Sequence, residues 1–247
     1  MTDQAPYTKA PITEALIDIQ VTLPDDVTVG DLARVDIGED KGYPQRRNRF
    51  AVMGEIAVGD QIGAVTRQMH VGYDFVSEDE RQIVQARQNG YTFSRLAPYD
   101  RWETFQEEAR RLWDLYRSVA KPTSITRVAV RYINRLDLPL PMADFKDYLR
   151  TVPEVAPDLP QALGGYLMQL AIPYEDPESL LLLNETLLPP PDTSTVSILL
   201  DIDLFRQLEE SVEDDELWML LEQFRRRKNE VFEACITERT KELIGGS

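Results

Sequence analysis

Residues 12–24 read ITEALIDIQVTLP, and residues 125–139 read ITRVAVRYINRLDLP. Each segment opens Ile-Thr, alternates apolar and polar side chains, and closes Leu-Pro. Alternation with period two specifies a strand that buries one face and wets the other. Its return after the midpoint of the 247-residue chain points to an internal repeat, which constrains the fold more than any single motif does.

The order of elements after each segment supports that reading. Helix-like TVGDLARV (28–35) follows the first, and MADFKDYLRTV (142–152) follows the second. The first half continues with strand-like RFAVMGEIAVG (49–59) and AVTRQMHVGYDFV (64–76). QIVQAR (82–87) and YTFSRL (91–96) come next, joined at Gln88-Asn89-Gly90. Asn-Gly between alternating runs is a strong hairpin signal. The half closes on DRWETFQEEARRLWDLYRSV (100–119), whose Trp102, Phe105, Ala109, Leu112, Trp113 and Tyr116 recur at helical spacing.

The second half gives strand-like GYLMQLAIPY (165–174), SLLLLNETLL (179–188) and VSILLDIDLF (196–205). A long helix over 214–243 ends it, with a buried stripe of Leu217, Leu220, Leu221, Phe224, Val231, Phe232 and Cys235. The expected architecture is α+β. A β-α-β(4)-α unit spans 1–122, a β-α-β(3)-α unit spans 123–247, and KPTS (121–124) is the seam of one compact domain. Together they build a largely antiparallel curved sheet with long helices on one face. By element order alone this resembles the saddle of TATA-binding-protein-like folds, or a helix-grip fold.

Several chemistries are excluded by counts. Zinc sites need three or four nitrogen, sulfur or carboxylate ligands, and the chain has one histidine, His70, and one cysteine, Cys235. His70 lies in an alternating run and reads as an ordinary strand residue, while Cys235 reads as a core thiol. No Gly-rich phosphate loop followed by Lys-Ser/Thr is present. A net charge of −16 argues against general nucleic-acid binding and against anionic membrane surfaces. The N-terminal MTDQAPYTK lacks the apolar core of a signal peptide, so a soluble cytoplasmic protein is expected.

Candidate site residues come from the strands' polar sides. Arg127, Arg131 and Arg135 share one face of their strand, with Val128, Val130, Tyr132 and Leu136 on the other. Glu14, Asp18 and Gln20 lie on the corresponding face of the first strand, and Asp201 and Asp203 on that of the last. The simpler reading is cross-strand ion pairing on a solvated face. The sharper one is a groove in which Arg127, Arg131 and Arg135 grip an anion while Asp18, Asp201 and Asp203 hold magnesium. The acidic run LEESVEDDE (208–216) reads as a helix N-terminal region, or else as a docking surface.

The blocks APITEALIDIQ, GYTFSRLAPYDRWETF, ITRVAVRYINRLDLP and RRRKNEVFEACIT resemble a sporadically distributed bacterial family of about this length. The resemblance spans nearly the whole chain. It implies a stand-alone bacterial protein with an accessory or defence-type role, and it carries over no catalytic residue because the family has no assigned activity.

Three functional readings stand on the sequence. The first is a non-enzymatic binding or regulatory module, needing no cofactor, that recognises a protein partner or a second copy of itself. The alternative is a metal-assisted phosphoryl or nucleotide-binding enzyme that uses the Arg/Asp face and Mg2+. The third is a carrier of an apolar ligand, held between the sheet and the C-terminal helix.

Overall fold

The alternating segments become strands of one sheet. A computed structural model describes residues 7–57, 63–208 and 214–246. Its strands are β1 (Ile12–Thr22), β2 (Gln45–Ala57), β3 (Gly63–Val76), β4 (Gln82–Arg87), β5 (Gly90–Leu96), β6 (Ser124–Pro139), β7 (Leu167–Glu175), β8 (Glu178–Leu188) and β9 (Thr195–Gln207). They form a nine-stranded antiparallel, open and curved sheet in the order β2-β3-β4-β5-β1-β6-β9-β8-β7. The two Ile-Thr strands pair with each other at its centre, Ile17 opposite Val130 and Ile19 opposite Val128. Backbone hydrogen bonding therefore runs unbroken across the KPTS seam.

The Asn89-Gly90 turn makes the β4–β5 hairpin, with Arg87 paired to Gly90. Gly90 is also where β5 presses on β1. A Cβ there would meet the Ile19 carbonyl oxygen at 2.5 Å, so the position takes no side chain.

One sheet face is apolar and covered. Its residues include Ala15, Ile17 and Ile19 of β1, Val128, Val130 and Tyr132 of β6, and Ile198, Leu200 and Ile202 of β9, all essentially inaccessible. Helix α1 (Val29–Leu32) is one turn, and α2 (Trp102–Ala120) lies against β5, with Phe93 stacked on Phe105. Helix α3 (Asp214–Cys235) packs on β6 and β9, and α4 (Glu238–Leu243) follows. Every predicted stripe residue of α2 and α3 is buried. Among the described residues no helix is long and apolar enough to cross a membrane.

Two expectations change. The single helix over 214–243 is interrupted at Ile236 and Thr237. There Ile236 bridges to Leu149, and the Thr237 hydroxyl donates to the Asp147 carbonyl at 2.7 Å. MADFKDYLRTV is not a helix beyond a 3-10 turn at Phe145–Asp147, because Tyr148 and Leu149 turn inward to meet that break. Burial of two large side chains overrides a weak local propensity. In the acidic run, residues 209–213 lie outside the described residues.

His70 sits in β3 with its Nε2 2.9 Å from the Gly72 carbonyl, and its ring edges Tyr73. Cys235 is buried, and burial pushes its thiol up to about 11.

Candidate functional site

The uncovered sheet face holds the predicted arginines and aspartates, and they engage one another. Arg127 on β6 bridges two carboxylates, with Nη1 3.1 Å from Asp18 Oδ2 on β1 and Nη2 3.1 Å from Asp203 Oδ2 on β9. Its guanidinium lies 4.2 Å from the centroid of the Phe205 ring. Asp18 also accepts from Arg87 on β4 and from the Thr92 hydroxyl on β5. Arg131 forks onto Asp201 through Nε at 2.8 Å and Nη2 at 2.7 Å, and Asn184 on β8 donates to the same carboxylate. Burial raises the Asp203 carboxyl above its usual range although Arg127 and Arg131 oppose the shift.

Asp18, Arg127, Asp203, Arg131 and Asp201 thus form one contiguous patch. Arg135 lies further along β6, bound to Asp137 and to the Ser197 hydroxyl. Each arginine offered to an anion already holds a carboxylate, and Asp18, Asp201 and Asp203 each already accept from an arginine. Among the described residues no group of three His, Cys, Asp or Glu side chains is placed to hold a metal ion. The arrangement pairs charge across strands that come from both halves of the chain, while Asp203 Oδ1 and Arg87 Nε stay buried without a hydrogen bond among the described residues.

A different constellation lies on the covered side, at the end of the sheet where β6 passes beneath α3. A cavity of about 410 Å³ opens there between residues 7–12, the segment 99–103 that leads into α2, β6 and α3. That volume falls in the range of small-ligand sites, roughly 300–1,000 Å³. Tyr99, Trp102, Tyr132 and Phe232 give it aromatic walls, and Arg225 and Lys228 of α3 bring cations to it.

Lys228 is the residue that sequence reasoning passed over. It lies one helical turn after Phe224 and one before Phe232, so α3's buried stripe runs straight through it. The residue is 8% exposed, and Nζ sits 3.6 Å from the centroid of the Tyr132 ring. Among the described residues no carboxylate or hydrogen-bond acceptor pairs with this amine.

The nearby acids of α3 are committed elsewhere. Glu222 accepts from Trp102 Nε1 and from Arg226, and Glu233 accepts from the Tyr7 hydroxyl at 2.5 Å and pairs with Lys241. Burial, reinforced by the charge of Arg225, brings the Lys228 amine down to about 7. Beside it, the Tyr132 and Tyr99 hydroxyls share a hydrogen bond of 2.8 Å, and burial holds both well above the usual tyrosine range. Asn134, also on the apolar face of β6, is fixed by donation to the Leu200 carbonyl at 3.1 Å.

A desolvated amine on an aromatic wall can do two things. It can take a proton when an anion enters and supplies the missing counter-charge, or it can act unprotonated as a nucleophile.

No model of a known protein family matches the chain, and no curated protein matches it either.

Proposed function

We propose that the protein is a binding module for a small organic carboxylate with an apolar or aromatic body, seated in the cleft between α3 and β6. The observation that carries this reading is the Lys228 amine, buried at the wall of a ligand-sized cavity with no counter-ion among the described residues. An unpaired buried charge is costly, and a monoanion that brought its own charge would remove that cost. Asp100, Glu103 and Glu233 also border the cleft and oppose a multiply charged phosphate, while the aromatic walls favour an apolar body.

The reading replaces the protein partner expected from the sequence with a small molecule, and moves the site from the open sheet face to the covered one. Phosphoryl chemistry with Mg2+ would need Asp18, Asp201 and Asp203 released from Arg127, Arg131 and Arg87.

The proposal extends to the fold, as a tandem of two related units. Outward from the central pair, β1-β5-β4-β3-β2 on one side answers β6-β9-β8-β7 on the other, with α2 and α3 in matching places. A superposition of residues 12–120 on 124–235 that failed to bring α2 onto α3 would count against it.

The functional test is a thermal-shift series with phenylacetate, benzoate, acetate and inorganic phosphate on the wild type, Lys228→Met and Arg131→Ala. Ligand at a hundredfold excess over its dissociation constant adds roughly 2.7 kcal/mol to the native state. The expected result is stabilisation by phenylacetate or benzoate in the wild type and in Arg131→Ala, and none in Lys228→Met. Loss in Arg131→Ala with retention in Lys228→Met would return the site to the sheet face.

A further inference from the structure

Far from the cleft, β2 forms one edge of the sheet. It pairs with β3 from Gln45 to Ala57, whereas β4 pairs with β3 over Gly72–Val76 alone. Among the described residues, the ladder of Phe50–Ala57 with Gly63–His70 is therefore a two-stranded ribbon without a third strand. A ribbon of that kind is marginally stable in water by itself. β2 contains no proline, so its outer edge keeps its row of backbone donors and acceptors. At the opposite edge of the sheet β7 carries Pro173, which cannot donate, and that edge is blunted. Phe50 and Val52 are 52% and 63% exposed, and two residues apart on a strand they project to the same side. Two of the three arginines of β2 are committed within the chain. Arg49 holds both oxygens of Asp74 at 3.1 Å, and Arg46 donates to the Ala33 carbonyl and lies over the Tyr73 ring. Arg47 stays at the surface, its side chain 55% exposed in a pair with the equally open Glu80.

We infer that β2 pairs antiparallel with β2 of a second copy of this chain, about a two-fold axis at Ala51, so that one sheet runs through both molecules. The strand is complementary to itself in this register. Phe50 of each copy faces Val52 of the other, and the two exposed apolar residues cover one another. Arg47 of each copy faces Glu55 of the other, so unlike charges meet at both ends of the apolar pair. Aromatic against β-branched and opposite charges face to face are both favourable cross-strand partners. A register moved by two residues keeps the same faces together but sets Arg47 against Met53 or Ala57, and the charge match is lost. Pairing about a two-fold axis uses up the β2 edge of each copy, so assembly closes at a dimer.

The test is sedimentation velocity of the full chain over a wide range of concentration. Wild type is compared with Val52→Lys, Arg47→Glu, Glu55→Arg and the double reversal Arg47→Glu/Glu55→Arg. The expected result is a reversible wild-type dimer whose dissociation constant rises at least tenfold in each single variant. The double reversal restores the charge match and should return the constant to near the wild-type value, which a misfolded chain would not do. Residues that face each other across an antiparallel pair have Cα atoms within disulfide reach. Mild oxidation should therefore cross-link Ala51→Cys into a covalent dimer and leave Gln45→Cys uncoupled, with the native Cys235 buried away from the reaction. A wild type that stays monomeric at every concentration overturns the proposal. So does a dimer that Val52→Lys leaves unchanged, or one that the double reversal fails to restore.

Discussion

Lys228→Met should make the protein more stable at pH 7, by on the order of 2–4 kcal/mol, and the gain should fade as the pH approaches 10. In the unfolded chain the amine titrates near its ordinary 10.5, whereas in the folded protein it titrates at about 7. Below pH 7 both states carry the proton, and the folded state bears the full cost of burying it. Between 7 and 10.5 the unfolded chain holds a proton that the folded one lacks. Wild-type stability therefore climbs with pH by up to about 1.4 kcal/mol per unit from this group. Methionine has a similar reach and no charge, and it packs well against aromatic rings. Urea unfolding of both proteins at pH 6, 8 and 9.5 measures the difference directly, because every other titrating group cancels in the comparison. A variant less stable than the wild type at pH 6 would mean that the amine is well satisfied where it lies.

Asp18→Ala should be the most damaging substitution on the open face, with a loss of about 3–5 kcal/mol. Asp18 is the shared acceptor for Arg87, Arg127 and Thr92, and the two arginine side chains are only 17% and 14% exposed. Removing it leaves two cations with little water to replace their partner. Asp18→Asn should lose less, since one oxygen still accepts. A loss under about 1 kcal/mol, the range of exposed pairs, would show that the patch is solvated. Magnesium should not rescue Asp18→Ala, because the aspartates serve the arginines.

Much of the fold was legible because burial imposes period. Alternation in ITEALIDIQVTLP and ITRVAVRYINRLDLP marked the two central strands and separated their faces, and Asn89-Gly90 marked the hairpin. Helical spacing marked α2 and α3. The failures came from contacts distant in sequence. Nothing local in MADFKDYLRTV announces that Leu149 will pair with Ile236 and end both the expected helix there and the long one at the C-terminus.

The candidate site was legible in halves. Arg127, Arg131, Asp18, Asp201 and Asp203 lie on the face where alternation put them, but alternation cannot say whether charges on one face await a ligand or one another. Lys228 was hidden by its neighbours, since in FRRRKNE it reads as part of a solvated basic run. The signal was its phase. The stripe that runs through Phe224 and Phe232 demands a buried residue between them, and that residue is a lysine.

The most direct measurement is a crystal structure of the protein grown with phenylacetate at saturating concentration. The account predicts ligand density between α3 and β6, with its carboxylate beside Lys228 Nζ. Ligand density on the open sheet face beside Arg131 and Asp201, with the cleft empty, would contradict it.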